Sequence, residues 1–219
     1  MIDTIIFDLD GTLLNTLDDL MDSVNFALSA FSFKERSREE IRRFVGNGVR
    51  MLIKRSVPEG TNEEITKRVF SVFREHYLKN MENKTAPYEG IMPLLEEAKR
   101  QGIKTGVVSN KLDEAVKGLC EKTFGDLIGF AQGAQGEDDR KPNPINVFKC
   151  VKALGSRTEN CVYVGDSEVD FQTAQNAQMK CINVLWGFRK KEEMLPFGAD
   201  TFINKPSELL GLIKEMNKK

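Results

Sequence analysis

The chain has 219 residues, 40% of them hydrophobic and 30% charged, which describes an ordinary globular protein long enough for a well-buried core. Its formal net charge of −1 gives no electrostatic reason to expect nucleic acid or an anionic membrane as partner. No apolar run approaches the roughly 18 residues of a membrane span, and Met1-Ile2-Asp3 carries neither a basic flank nor a signal-like core, so the cytoplasm is the expected compartment.

Thr4 to Phe7 is a β-branched and aromatic run without alternation, the pattern of a parallel, central strand buried on both faces. At its end stand Asp8 and Asp10, whose side chains project to the same side if the extended geometry continues, and then Gly11, which lets the backbone turn. Two carboxylates about 4 Å apart repel by about 4 kcal/mol at an effective dielectric of about 20. Such a pair calls for a proton, a cation or a chemical role; read alone, Asp10-Gly11 is also an ordinary turn and Asp8 an ordinary helix cap.

From Thr16 to about Met81 the apolar residues recur at helical spacing, with Leu20, Val24, Ala27, Leu28 and Phe31 in one stripe and Ile65, Val69, Phe70, Val72, Phe73 and Tyr77 in another. Without strand-like alternation this stretch reads as roughly four helices. It is too long for a single crossover, so 15–82 is expected to be an inserted helical cap domain, and 1–14 with 83–219 a discontinuous core. Within the cap, Gly46-Asn47-Gly48 has the glycines of a tight turn opening a helix, whose amides could receive an anion; Arg50 and Lys54 share a face. A plain turn with a solvated basic face fits the same residues.

Pro87 to Gly90 marks the return to the core. A helix is expected over 92–100, ended by Gly102, then a strand over 104–108. Ser109 and Asn110 follow at the strand end, where a hydroxyl and free amides make either a phosphate seat or an ordinary cap. A helix is expected over 113–124, a short strand over 126–131, and a helix over 145–154 begun by Pro142, which holds Lys141 at the helix entrance. Cys161 to Gly165 is another apolar strand and runs into Asp166, Ser167, Glu168 and Asp170, a second acidic cluster on a strand end. A helix over 171–177, a strand over 181–185, a loop at Trp186-Gly187-Phe188, a strand over 200–203 and a helix over 207–216 complete the chain. Strand and helix alternate from Gly90 onward, which argues a doubly wound α/β fold with a parallel sheet and helices on both faces. Ligands in such sheets bind beyond the carboxyl ends of the strands, where Asp8, Asp10, Ser109 and Asp166 all fall.

Cys120, Cys150, Cys161 and Cys181 are widely spaced with no Cys-x-x-Cys pair, so buried free thiols are expected rather than zinc or redox chemistry. The single histidine, His76, lies in the helical insert and reads as a surface residue. Ser-His-Asp and Cys-His chemistry therefore lack their proton carrier.

Asp8-Leu9-Asp10-Gly11-Thr12-Leu13 resembles the first motif of the haloacid dehalogenase superfamily, and three later segments resemble its other motifs in order, with phosphoglycolate phosphatase-like members as the nearest type. The resemblance spans nearly the whole chain and implies a Rossmann-like core with a helical cap. It implies a Mg²⁺-dependent phosphomonoester hydrolase acting on a small phosphorylated metabolite, 2-phosphoglycolate first, through an aspartyl-phosphate. Asp8 would be the nucleophile and Asp10 the general acid/base. Ser109, Asn110 and Lys141 would hold the phosphate; Asp8, Asp166 and the Asp10 carbonyl would hold the metal. Asp170, in the wording Gly-Asp-Ser-x-x-x-Asp, would touch the metal through water or position Lys141. Gly46, Asn47, Gly48 and Arg50 would meet the rest of the substrate.

Asn15 stands where the family commonly has an acid, and Gln178 where Ala-Gly usually ends a helix. Neither removes a catalytic atom. A sugar phosphomutase of the β-phosphoglucomutase type or a pyrophosphatase shares the four core motifs. Outside the enzymes, a receiver-like phosphate-binding domain or a silent scaffold is the rival.

Overall fold

The structure is a computed structural model that describes residues 1–218. The chain divides into two compact units, 1–14 with 87–219 and 15–86. β1 (Thr4–Phe7) opens the first unit, and the crossings between units fall at β2 (Leu14–Asn15) and, after the helical segment, at β3 (Ala86–Pro87). The return comes later than the expected 82/83. Its reason is local: the Asp19 carboxylate accepts hydrogen bonds from the backbone N–H groups of Lys84 and Thr85, which ties them to the helices.

The helical unit consists of α1 (Leu17–Ser29), α2 (Arg38–Phe44), α3 (Val49–Ser56) and α4 (Glu63–Asn80). The periodic stripes become its core: Leu20, Val24, Ala27 and Leu28 are buried on α1, and Val69, Phe73 and Tyr77 on α4, with the last two rings stacked at 5.3 Å. Sequence-local caps start two of the helices. Ser37 and Glu40 form a reciprocal capping box on α2, and Asn62 Oδ1 accepts from Ile65 N on α4.

The other unit continues through α5 (Ile91–Arg100), β4 (Lys104–Leu112), α6 (Asp113–Phe124), β5 (Phe130–Ala134), α7 (Ile145–Ala153), β6 (Cys161–Gly165), α8 (Glu168–Asn176), β7 (Lys180–Val184), α9 (Lys191–Met194), β8 (Phe202–Ile203) and α10 (Leu209–Met216). The sheet order is β5-β4-β1-β6-β7-β8 and every pairing is parallel. From β1 the chain steps outward through β4 and β5, then restarts on the other flank of β1 with β6. The strand order thus reverses at the ends of β1 and β6, the doubly wound arrangement that opens a crevice there. Val147, Cys150 and Val151 of α7 and Phe171 and Ala174 of α8 pack against Ile6, Val108 and Tyr163 in one buried cluster. Helices α5 and α10 contact each other and take no part in it, as helices covering the opposite face would.

Three expected elements are displaced. The strand placed at 126–131 begins at Phe130, because Gly125–Leu127 takes up a 3₁₀ turn after α6. The strand placed at 104–108 runs on to Leu112 through an irregularity: Val108 pairs with Gln132 and Leu112 with Ala134, so four steps on β4 match two on β5. Helix α7 is capped by Pro144 rather than begun by Pro142, whose peptide bond to Lys141 is cis.

Candidate active site

β1 hands its ladder directly to the first acid. Asp8 N donates to Val164 O of β6 at 2.9 Å, so Asp8 sits at the reversal point of the sheet. The chain then turns tightly, with Leu9 O accepting from the amides of Thr12, Leu13 and Leu14, while Leu9 and Leu13 are buried beneath. Gly11 is required twice over: its φ is +87°, and a Cβ there would lie 2.5 Å from Asp166 Oδ2.

The oxygen ligands that Asp8, Asp166 and Asp170 offer all lie within 4.8 Å of one another, and all three residues are buried. Asp166 Oδ1 accepts from Thr12 Oγ1 at 3.3 Å and its Oδ2 from Phe188 N at 2.7 Å. Asp170 Oδ1 accepts from Lys141 Nζ at 2.6 Å. Its Oδ2 accepts from Ser167 Oγ and from the amides of Ser167 and Asp166, the capping box of α8. Both oxygens of Asp170 thus have protein partners, as do those of Asp166.

Lys141 joins the acids. Its Nζ is 2.9 Å from Asp8 Oδ1 and 3.2 Å from Tyr163 Oη, which in turn donates to Val108 O. The contact with Asp8 is an ion pair, and Asp8 Oδ1 is buried with no further partner among the described residues. Asn110 holds the backbone of Lys141 from both sides, accepting from its N–H at 2.7 Å and donating to its carbonyl at 3.1 Å. Ser109 is buried, and its hydroxyl accepts from Lys111 N.

Three buried carboxylates share one ammonium here. Burial, then the Asp170 charge, push the Asp8 carboxyl up to about 7 against the pull of Lys141. Burial and the neighbouring Asp170 and Asp8 charges likewise hold Asp166 well above the usual carboxylate range. Burial alone would lower the Lys141 ammonium, but the Asp170 and Asp8 charges outweigh it and hold it well above its usual range. An excess of buried carboxylates over neighbouring cations, an all-oxygen donor set and an Asp8 Oδ1 held by an ion pair alone fit a hard divalent cation such as Mg²⁺.

Asp10 lies outside this cluster; Lys111 Nζ reaches its two carboxylate oxygens at 2.8 and 3.1 Å. Lys111 is one residue that sequence reasoning missed. The loop at 186–189 is another: Trp186 Nε1 donates to Thr12 O, Phe188 N to Asp166 Oδ2, and Arg189 pairs with Glu168 at 2.9 Å. A Cβ on Gly187 would come within 2.4 Å of both Asp166 Cβ and Gly11 O. The Trp-Gly pair after a strand was the available signal.

The cap candidates all belong to the helical unit. Gly46 and Gly48 have positive φ, and Gly48 caps α3. Asn47 Oδ1 accepts from Arg55 Nη2 at 2.8 Å, and the Arg50 guanidinium stands 4.7 Å over the Phe70 ring. His76 is half-buried in the same unit, 3.0 Å from Ser23 Oγ and stacked on Phe26.

Residues 5–184 match the model of the haloacid dehalogenase-like hydrolases. The chain belongs to that family. This haloacid dehalogenase-like hydrolase is 33% identical over 212 residues to the phosphoglycolate phosphatase of Aquifex aeolicus, covering 95% of each chain. It is 27% identical over 218 residues to the pyrophosphatase PpaX of Bacillus cereus, covering 99% of each. A crystal structure from Lactobacillus delbrueckii subsp. bulgaricus, provisionally assigned as a phosphoglycolate phosphatase, superimposes with a TM-score of 0.89 at 34% identity, covering 94% of this chain and 96% of that one. Among the described residues no helix is long and apolar enough to cross a membrane.

Proposed function

We propose that this hydrolase is a Mg²⁺-dependent phosphatase that transfers the phosphoryl group of a small metabolite to Asp8 and then to water, with 2-phosphoglycolate as the first substrate to test. The observation that carries this reading is Asp8 itself: a buried carboxylate at the sheet's reversal point, whose Oδ1 is paired with a fixed ammonium 2.9 Å away. Asp8 and Asp166, with the Asp10 carbonyl, would hold Mg²⁺. When bound, the ion offsets charge on the phosphoryl group and the nucleophile.

Lys141 adds a second positive charge, kept in place by Asp170 and by the Asn110 clasp on its backbone. The Ser109 hydroxyl and the backbone amide of Asn110, towards the carboxyl end of β4, would hydrogen-bond the phosphoryl oxygens. Asp8 attacks phosphorus as the bond to the leaving oxygen breaks, and Asp10 gives that oxygen a proton. In the second half, Asp10 takes a proton from water, which attacks phosphorus and frees Asp8 and inorganic phosphate. Asp170, whose Oδ1 accepts from Lys141 Nζ at 2.6 Å while its Oδ2 caps α8, is assigned to positioning Lys141. Gly46, Asn47, Gly48 and Arg50 stay as the candidates for recognising the non-phosphate end of the substrate.

Pyrophosphate hydrolysis is the second reading, supported by the full-length similarity to PpaX. The deciding experiment is phosphate release with and without Mg²⁺ from 2-phosphoglycolate, sugar phosphates, nucleotides and pyrophosphate, beside Asp8→Asn. Preference for 2-phosphoglycolate that disappears in Asp8→Asn supports the first reading, preference for pyrophosphate the second. Turnover that survives Asp8→Asn overturns the mechanism.

A further inference from the structure

We propose that Lys111 is a positioning residue that holds the Asp10 carboxyl apart from the acidic cluster and aimed at the leaving oxygen; this rests on the reading of Asp10 as proton donor and acceptor. The irregular stretch of β4 makes the placement possible. With four steps on β4 against two on β5 between Val108 and Leu112, the side chains of 109–111 are re-aimed relative to a regular strand. Lys111 is thereby turned so that its Nζ reaches both oxygens of Asp10, at 2.8 and 3.1 Å.

The burial is unequal. The Lys111 side chain is 1% exposed and that of Asp10 19%, so the lysine is the fixed partner and the acid faces the accessible side. A buried ammonium is costly to leave unpaired, which keeps this pair closed. Lys141 and Lys111, both buried, take different acids: Lys141 pairs with Asp8 and Asp170, Lys111 with Asp10. Asp10 is accordingly the one motif acid absent from the group that converges within 4.8 Å. An Asp10 side chain released by loss of Lys111 could join that group, and its proton would no longer be delivered along a fixed line.

The alternative is a structural staple between the end of β4 and the loop after β1. Leaving-group dependence separates the two. As the Asp8–phosphorus bond forms, the phosphorus–oxygen bond breaks and its electron pair leaves with the oxygen. An alkoxide needs a proton at that moment; p-nitrophenolate leaves without one. The parameter kcat/KM reports steps up to this cleavage, so it is measured with Mg²⁺ for 2-phosphoglycolate and p-nitrophenyl phosphate in the wild type, Lys111→Met, Lys111→Gln and Asp10→Asn.

In both Lys111 variants the ratio of p-nitrophenyl phosphate to 2-phosphoglycolate activity is expected to rise by at least about tenfold, in the same direction as in Asp10→Asn. Equal losses on both substrates, or none, while Asp10→Asn does shift the ratio, overturn the role of Lys111 alone. An unshifted ratio in Asp10→Asn, or no Asp8-dependent turnover of either substrate, overturns the reading of Asp10 and this inference together. The thermal midpoint of each variant, read beside the wild type, shows that it has folded, so equal losses on both substrates are not mistaken for misfolding.

Discussion

Gly11 and Gly187 both stand against the Asp166 carboxylate, and each would bring a Cβ within 2.6 Å of an Asp166 side-chain atom. The backbone has been brought closer to this acid than any other residue type allows. Gly187→Ala is expected to cost about 1–3 kcal/mol, because the clash is with backbone and a buried side chain that cannot swing away. The midpoint of urea unfolding reads this directly, and an unchanged midpoint would show that the loop yields. The cysteines make a second prediction at this scale. Burial pushes the Cys120 and Cys150 thiols up to about 12 and raises Cys161 and Cys181 as well, so little thiolate exists at neutral pH. All four should resist a thiol-disulfide reagent in the native protein and react after denaturation. Rapid labelling of a native thiol at pH 7 would contradict their packing.

At the scale of elements, the end of α8 shows what a missing glycine demands. Met179 N donates to Ala174 O at 2.8 Å, closing a helix terminus that requires a left-handed residue at position 178, and Gln178 adopts φ +56° to supply it. Gln178→Gly should relieve that strain and stabilise the protein by about 1 kcal/mol. The corresponding rise in thermal midpoint is the measurement, and a fall would show that the glutamine side chain contributes more than its backbone costs.

The connections around β5 depend on two ionised carboxylates. Asp113 accepts from Gly133 N at 2.9 Å, and Asp139 from Gly136 N at 2.9 Å and Gln135 N at 3.1 Å. Burial opposes ionisation of both. It is outweighed by Lys117 and Gly133 N–H at Asp113, and by the Gly136 and Gln135 amides at Asp139, so both carboxyls sit below their usual range. A depressed carboxyl contributes stability that is complete above its unfolded value and lost as pH falls through the folded one. The double variant Asp113→Asn, Asp139→Asn should therefore be less stable at pH 7, by about 1 kcal/mol per site, and lose less on acidification below about pH 4. Thermal midpoints across pH 2–7 test it: parallel curves would remove these two groups from the acid transition.

For the whole molecule, the proposed cation site links metal to folding. An ion that binds only the folded state stabilises it by about 2.7 kcal/mol at a hundredfold excess over its dissociation constant. Mg²⁺ should raise the thermal midpoint of the wild type and raise that of Asp166→Ala much less. Equal shifts would move the ion away from Asp166.

Much of this architecture is legible along the chain because it depends on neighbours in sequence. A short, β-branched and aromatic apolar run at Thr4–Phe7 and another apolar run at Cys161–Gly165 read as buried strands, and 3.6-residue periodicity marks the inserted helices. The acids at the ends of those two strands, and Ser109 and Lys141, are site candidates through motifs that resemble the family, to which the chain belongs. What the sequence alone could not determine depends on strand register and on contacts across the sheet. The extra residues of β4 turn Lys111 toward Asp10, a partner 101 positions away, and the loop at 186–189 closes on Asp166 through a backbone amide. Asp170 reads in sequence as a first-turn helix residue, yet its oxygens are fully engaged only once β6 and the segment bearing Lys141 are brought together. Pattern and propensity act over a few residues, which is why they determined the elements and the acids at their ends. The pairing of each acid with its cation was decided only by the fold, because those partners meet through register and burial.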